Sequence, residues 1–212
     1  PEIETFLDIQ QEVSRLQRLV VQLEQLSQAE SGHVALNLQP ADIGQLICAI
    51  CDRMEVQYES KGVDLACVCE PGLPSILIDR DHITQVAINL LGNALQYTPA
   101  GGKVAVQVVR DGTVMVIRIQ DSGIGLSADD LPHIFERFYR VDQSRARSSG
   151  GNGIGLTIAR QLVLAHGGTL QAESAGQGTG SFSSQAAGGH ARQVEARRWQ
   201  LEDHPEQRTA QG

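Results

Sequence analysis

Lysine is nearly absent from this 212-residue sequence: two lysines stand against fifteen arginines, a composition bias and not a functional signature. The net charge of −8 leaves no basic stripe to neutralise a phosphate backbone, so no nucleic-acid partner is expected. No apolar run approaches the ~18 residues that cross a bilayer. The start also lacks a basic segment followed by an apolar one. Any membrane attachment would come from segments upstream of these residues. Cysteine is scarce, with four in all.

Those four fall as Cys48-x-x-Cys51 and Cys67-x-Cys69. The first pair shares a helix face and the second a strand face, so a four-thiolate metal site is geometrically conceivable. Both pairs are also in phase with apolar neighbours: Leu46, Ile47 and Ile50, then Val63 and Leu65. Neither spacing is that of a standard zinc knuckle, and buried free thiols in a reducing compartment are the expectation.

A hydrophobic share of 41% fits one sizeable globular domain with appendages. Residues 2 to 30 carry no internal Gly or Pro. Phe6, Ile9, Val13, Leu16, Val20 and Leu23 alternate spacings of three and four, the seam of a coiled coil or helix bundle. Such a helix cannot bury its own stripe, so it needs a partner: self-association is expected over packing back on the domain that follows. Ser31-Gly32 ends it. His33 to Leu38 reads as a short strand, and Pro40-Ala-Asp42 opens a helix that runs to Lys61 and stops at Gly62. Val63 to Cys69 alternates as a strand, and Ile76 to Ile78 is another.

Asp79 or Asp81 then caps a helix in which Ile83, Val86, Ala87, Leu90, Leu91, Ala94 and Leu95 recur at helical spacing. Asn89, Asn93 and Gln96 form a narrow polar stripe on its other side. Carboxamides one turn apart offer neutral oxygens suited to a hard cation such as Mg²⁺; two ordinary surface asparagines are the plain alternative. After Pro99-Ala-Gly-Gly, strands at 104–110 and 113–120 make a hairpin across Asp111-Gly112.

Met115, Ile117 and Ile119 of that hairpin share a face with Asp121. A carboxylate closing an apolar stripe needs a donor, either as a turn cap or as the polar point of a pocket. Residues 126 to 152 form a long segment of the kind that serves as a lid, its second half without apolar residues after Ala146. Gly151-Asn-Gly-Ile-Gly-Leu enters a helix with its N–H groups and positive dipole end available to an anion. No strand precedes it, which removes the dinucleotide-binding reading.

Taken together, Asn89-LLG-Asn93-ALQYTP, Asp121-SGIG, Phe135-ERFYR, Gly151-NGIGL and Gly176-QGTG resemble the ordered boxes of the sensor histidine kinase ATP-binding domain. This is the GHKL fold shared with gyrase, MutL and the heat-shock chaperone ATPases. The resemblance covers residues 33 to 182. It implies an α/β (α+β) two-layer sandwich, a mixed, mostly antiparallel sheet with helices on one face, here preceded by one long helix. The organisation expected is a partial dimerisation helix at 1–31, an ATP-binding catalytic domain at 32–183, and a polar, disordered tail at 184–212.

The resemblance also implies ATP and Mg²⁺ as cofactors. Asn93, assisted by Asn89, would hold the metal, and Asp121 would accept the adenine amino proton. Gly123 and Gly125 would let the lid hinge; Gly153 and Gly155 would contact phosphates, with Arg137 or Arg140 reaching the γ-phosphate. Gln96, Tyr97, Gly151, Ile154, Leu156 and Thr179 complete the implied nucleotide contacts. Hydrolases of the superfamily place a glutamate four residues before the metal asparagine. Here that position is Asn89, which cannot act as a general base, and the kinase branch is implied.

The implied activity is phosphoryl transfer to a histidine outside this chain, then to a response regulator receiver domain. The portion would be cytoplasmic and would form a homodimer through its N-terminal helix and an upstream helix. Three features depart from the family pattern. Gln96 replaces a frequent Lys or Arg; none of His33, His82, His133, His166, His190 and His204 lies in a phosphoacceptor box; and an apolar last strand is lacking after Phe182. The alternatives are a nucleotide-binding module without kinase activity, or an anti-sigma-type serine kinase on the same fold.

Overall fold

The computed structural model describes residues 34–141, 152–174 and 176, the strand backbone of 182–187, and five single positions in the first thirty residues. Asp42 starts the first long element by accepting the Gln45 N–H at 2.9 Å, an N-cap. Helix α1 (Ile43–Lys61) ends where Gly62 adopts φ +71° and its N–H returns to Glu59 O. Helix α2 (Arg80–Tyr97) is capped by Asp79, not Asp81: its Oδ1 accepts the N–H groups of Asp81 and His82, each at 3.1 Å. Helix α3 (Gly155–Ala165) follows the second glycine cluster.

Among the described residues the strands are β1 (Gln39–Ala41), β2 (Asp64–Cys69), β3 (Ile76–Ile78), β4 (Lys103–Asp111), β5 (Val114–Asp121), β6 (Thr169–Glu173) and β7 (Phe182–Ala187). β1 and β3 form a small antiparallel ribbon, and the other five make a sheet in the order β2-β4-β5-β7-β6. Only β2 and β4 run parallel, so the sheet is mixed and mostly antiparallel, as the resemblance implied. Val104, Val106 and Val108 alternate with exposed neighbours along β4 and stand opposite Asp121, Ile119 and Ile117 of β5. All three helices pack on this one apolar face. Ile43, Ile47, Ile83, Leu91, Ile154 and Ile158 are sealed between the layers, each contributing roughly 1.5–3 kcal/mol.

Two expectations are corrected. Residues 34–38 alternate between half-buried and exposed but form no strand. The ladder begins at Gln39 because its partner β3 offers three residues, Gln39 to Ala41 facing Ile78 to Ile76, and the chain before them is tied instead by Asn37 N–H to Asp79 Oδ2 at 2.9 Å. The second correction is at the far end. A strand runs to Ala187, past the boundary at 183, although its sequence is polar. β7 lies inside the sheet and is paired on both sides, so backbone hydrogen bonds to β5 and β6 hold it there. The N-terminal helix and the tail after 187 lie outside the described residues, apart from Gln10, Val13, Gln17, Val20 and Glu24, which are helical and exposed.

Candidate nucleotide-binding site

The sheet's β5 ends at Asp121 beside the C-terminal half of α2, and the first residues after 121 are folded back onto that helix. Gly123 N–H donates to Asp121 Oδ1 at 2.8 Å, and Ile124 N–H donates to Tyr97 O at 3.2 Å. A Cβ on Gly123 would stand 2.6 Å from Tyr97 O and 2.7 Å from Asp121 Oδ1, so only glycine allows this approach. Asp121 thus caps its own turn with one oxygen and still lines the cleft between α2, β5 and the segment after it.

That cleft is apolar except at a few points. Asn93, Tyr97, Asp121, Gly125, Arg140 and Leu156, all singled out in the sequence, line it together. Its remaining wall includes Leu90, Ala94, Ile119, Ile134, Phe135 and Tyr139, which were not singled out as site residues. Periodicity assigns Leu90, Ala94 and Ile119 correctly to an apolar face but cannot say that the face continues into a pocket. Phe135 and Tyr139 carried a usable signal, since three of the chain's few aromatics cluster at Phe135, Phe138 and Tyr139 in a segment read as a lid.

The first half of the lid segment is built from tight turns. Asp130 accepts hydrogen bonds from Ser127 Oγ at 2.5 Å and Tyr139 Oη at 2.6 Å, and these hold its carboxylate below the usual range. Phe135 is fixed from α3: Thr157 Oγ1 donates to its carbonyl at 3.0 Å and the Arg160 guanidinium stands 5.4 Å from its ring centroid. The two bases of the lid are clamped where Phe138 N–H donates to Gly153 O at 2.9 Å. Phe138 has φ +61° and Gly153 φ +68°. A Cβ on Gly153 would lie 2.8 Å from Phe138 C, so this glycine is required by space and by conformation alike.

Asn89 does not line the apolar part of the cleft. Its Nδ2 donates to Gly155 O at 3.1 Å, joining the α2 stripe to the first residue of α3. The amide nitrogen is therefore committed to the backbone, and the carboxamide oxygen is the group left to serve a cation. Ile154 is fully buried, so any contact it makes to a ligand comes from its main chain. Gln96 is half-buried and its carbonyl accepts Lys61 Nζ at 2.9 Å, away from the lining. Arg137 is exposed and outside the lining. Gly151 and Thr179 lie outside the described residues.

Polar carboxamides beside a glycine-led helix, an apolar cleft and a single carboxylate at its floor form a set that takes a flat heterocycle with a phosphate tail. Residues 78–185, half of the chain, match the family of histidine kinase-, DNA gyrase B- and HSP90-like ATPases. The chain belongs to this family. It is 39% identical over 173 residues to the sensor histidine kinase WalK of Bacillus subtilis (strain 168), a match covering 80% of this chain and 28% of WalK. The structure of full-length ShkA in complex with AMPPNP superposes with a TM-score of 0.77 at 26% identity, over 88% of this chain and 39% of ShkA.

Histidine kinase ThkA, solved with response regulator protein TrrA, shares the fold at a TM-score of 0.66 and 21% identity, over 84% of this chain and 48% of that one. The chain spans less than half the length of these proteins. Among the described residues no helix is long and apolar enough to cross a membrane.

Proposed function

We propose that this chain is the ATP-binding catalytic portion of a two-component sensor histidine kinase, donating the γ-phosphate of ATP to a histidine outside the chain. The observation that carries the choice of branch is Asn89. A carboxamide stands where the family's hydrolases keep a glutamate, and its nitrogen is spent on Gly155 O, so this position supplies no general base.

Adenine fits the apolar cleft, with Asp121 as acceptor for its amino group and Gly123 and Gly125 fixing the turn. Asn89 and Asn93 would hold Mg²⁺, whose charge neutralisation is the chemistry it supplies. Main-chain N–H groups at the α3 entrance, from Gly153 to Leu156, suit the phosphates. Arg140, in the lining, is better placed than Arg137 to meet the γ-phosphate. Transfer then rests on positioning: the acceptor imidazole nitrogen attacks phosphorus as the bond to ADP breaks.

The described histidines support an external acceptor. His166 is buried, His82 Nδ1 lies 3.0 Å from Asp79 Oδ2, and His133 Nδ1 lies 2.8 Å from Glu136 Oε1. The response regulator partner is inferred from the complex of ThkA with TrrA, and a cytoplasmic setting from the same role. The homodimer is inferred from the heptad phase of the N-terminal segment, where Val13 and Val20, seven residues apart, are helical and about half exposed.

Incubation with γ-labelled ATP tests the reading. Acid-labile label is expected on an added sensor-kinase hairpin bearing its phosphoacceptor histidine, and none on the chain alone. Label on the isolated chain would contradict the external acceptor. No label in either mixture would favour a nucleotide-binding module, to which Gln96, in place of a cation, lends itself.

A further inference from the structure

Every cysteine in the chain comes to one place. Cys48 and Cys51 are one turn apart on α1, and Cys67 and Cys69 are on the face of edge strand β2 that meets it. Cys48 Sγ lies 3.5 Å from Cys67 Sγ and 2.9 Å from Cys69 Sγ, and all three sulfurs fall within 4.8 Å of one another. Cys51, buried one turn further along α1, is not among the three sulfurs within that distance and would turn its side chain to complete the set. None of the four lines the nucleotide cleft.

We infer that Cys48, Cys67 and Cys69, with Cys51 as fourth ligand, form a binding site for a thiophilic d¹⁰ cation of the zinc type between α1 and β2. Tetrahedral zinc with Zn–S bonds of ~2.3 Å sets its sulfurs about 3.8 Å apart; the separations of 2.9 and 3.5 Å fall inside that edge, so binding would spread the sulfurs by a small side-chain shift. Two residues from a helix and two from a strand approach from different sides, as a closed four-coordinate site requires. Cysteines that merely fill a core need not meet, and they would be sealed. Here Cys48, Cys67 and Cys69 are each half-buried, which leaves an ion a route in.

The Asp52 carboxylate follows Cys51 directly on α1, and no lysine or arginine lies within two residues of any of the four cysteines apart from Arg53, whose Nε is turned to Ala49 O. Disulfide exchange depends on a stabilised thiolate, typically beside a positive group. Coordination instead displaces the thiol protons to solvent as the metal–sulfur bonds form. The ion would staple the edge strand to the helix at the domain's end opposite β6 in strand order.

Cobalt(II) is the probe, added to the reduced full chain. One equivalent should give thiolate-to-cobalt charge transfer and tetrahedral visible bands, displaced by zinc. Cys48→Ala with Cys69→Ala should weaken binding by at least about a hundredfold, while ATP binding persists. Because that variant could unfold, thiol alkylation of the unaltered chain is read in parallel: zinc should protect at least three cysteines. Equal alkylation of all four with and without zinc, or unchanged cobalt bands in the double variant, would overturn the site. So would a Cys48–Cys69 disulfide forming in air in a chain that binds no cobalt.

Discussion

In the proposed function Asp121 serves a turn and a ligand with one carboxylate, and Gly123 is what would let it do both. Gly123→Ala would push a methyl group into Tyr97 O and Asp121 Oδ1, with no flexible side chain to yield on the Tyr97 side. ATP affinity is expected to fall at least about tenfold, and stability by roughly 1–3 kcal/mol. Calorimetry and urea titration check the two, and a variant unchanged in both would refute this reading of the turn.

His166 makes a second prediction at the same scale. Its Nδ1 faces Leu162 O at 2.7 Å and its Nε2 accepts Asp79 N–H at 3.2 Å, which fixes a neutral ring. Burial holds it below the ordinary histidine value, helped by nearby His82 and opposed by Asp79 and the Leu162 carbonyl. The unfolded chain takes up the proton near pH ~6.5 and the folded chain only at lower pH. Stability present above that pH is therefore lost as pH falls below it. Urea midpoints for the parent should drop from pH 8 to 5 more steeply than those of His166→Gln; parallel curves would contradict this.

Among elements, α1 and α2 were readable to within a residue or two because their ends carry chemistry: Asp42 and Gly62 on one, Asp79 and Thr98-Pro99 on the other. Asp79 does more than the sequence disclosed. Beyond capping α2 it accepts Asn37 N–H, which ties the entry of β1 to the helix. Asp79→Ala is expected to cost about 1–2 kcal/mol by equilibrium unfolding, and a cost near zero would show the cap to be replaceable. Tyr58 likewise joins α1 to α2 through Oη to Leu91 O at 2.7 Å. Short strands were less legible. The alternation from Val34 to Leu38 has the right period but no partner, and β7 has partners but no alternation.

The N-terminal helix belongs to this scale too. Val13→Glu with Val20→Glu should convert a dimer to a monomer by light scattering. A parent chain as monomeric as the variant would count against the seam.

For the whole molecule, the sheet's one-sided apolar face and the order of the glycine and asparagine boxes made the architecture legible before any coordinates. Of the residues the boxes name, Asn93, Tyr97, Asp121, Gly125, Arg140 and Leu156 share one cleft, while Asn89, Gln96 and Arg137 lie outside its lining. The clamp between Phe138 and Gly153 was not legible, because a positive φ on phenylalanine has no sequence signature. Nor was the meeting of the four cysteines, which depends on how β2 registers against α1.

The central claim is that this cleft holds MgATP through Asp121. Isothermal titration of the chain with MgATP, beside Asp121→Asn, tests it most directly. One site per chain is expected, weakened at least about tenfold, ~1.4 kcal/mol, by the substitution, and weakened again when Mg²⁺ is chelated. Equal affinity in parent and variant, or no binding by a folded parent chain, would contradict the account.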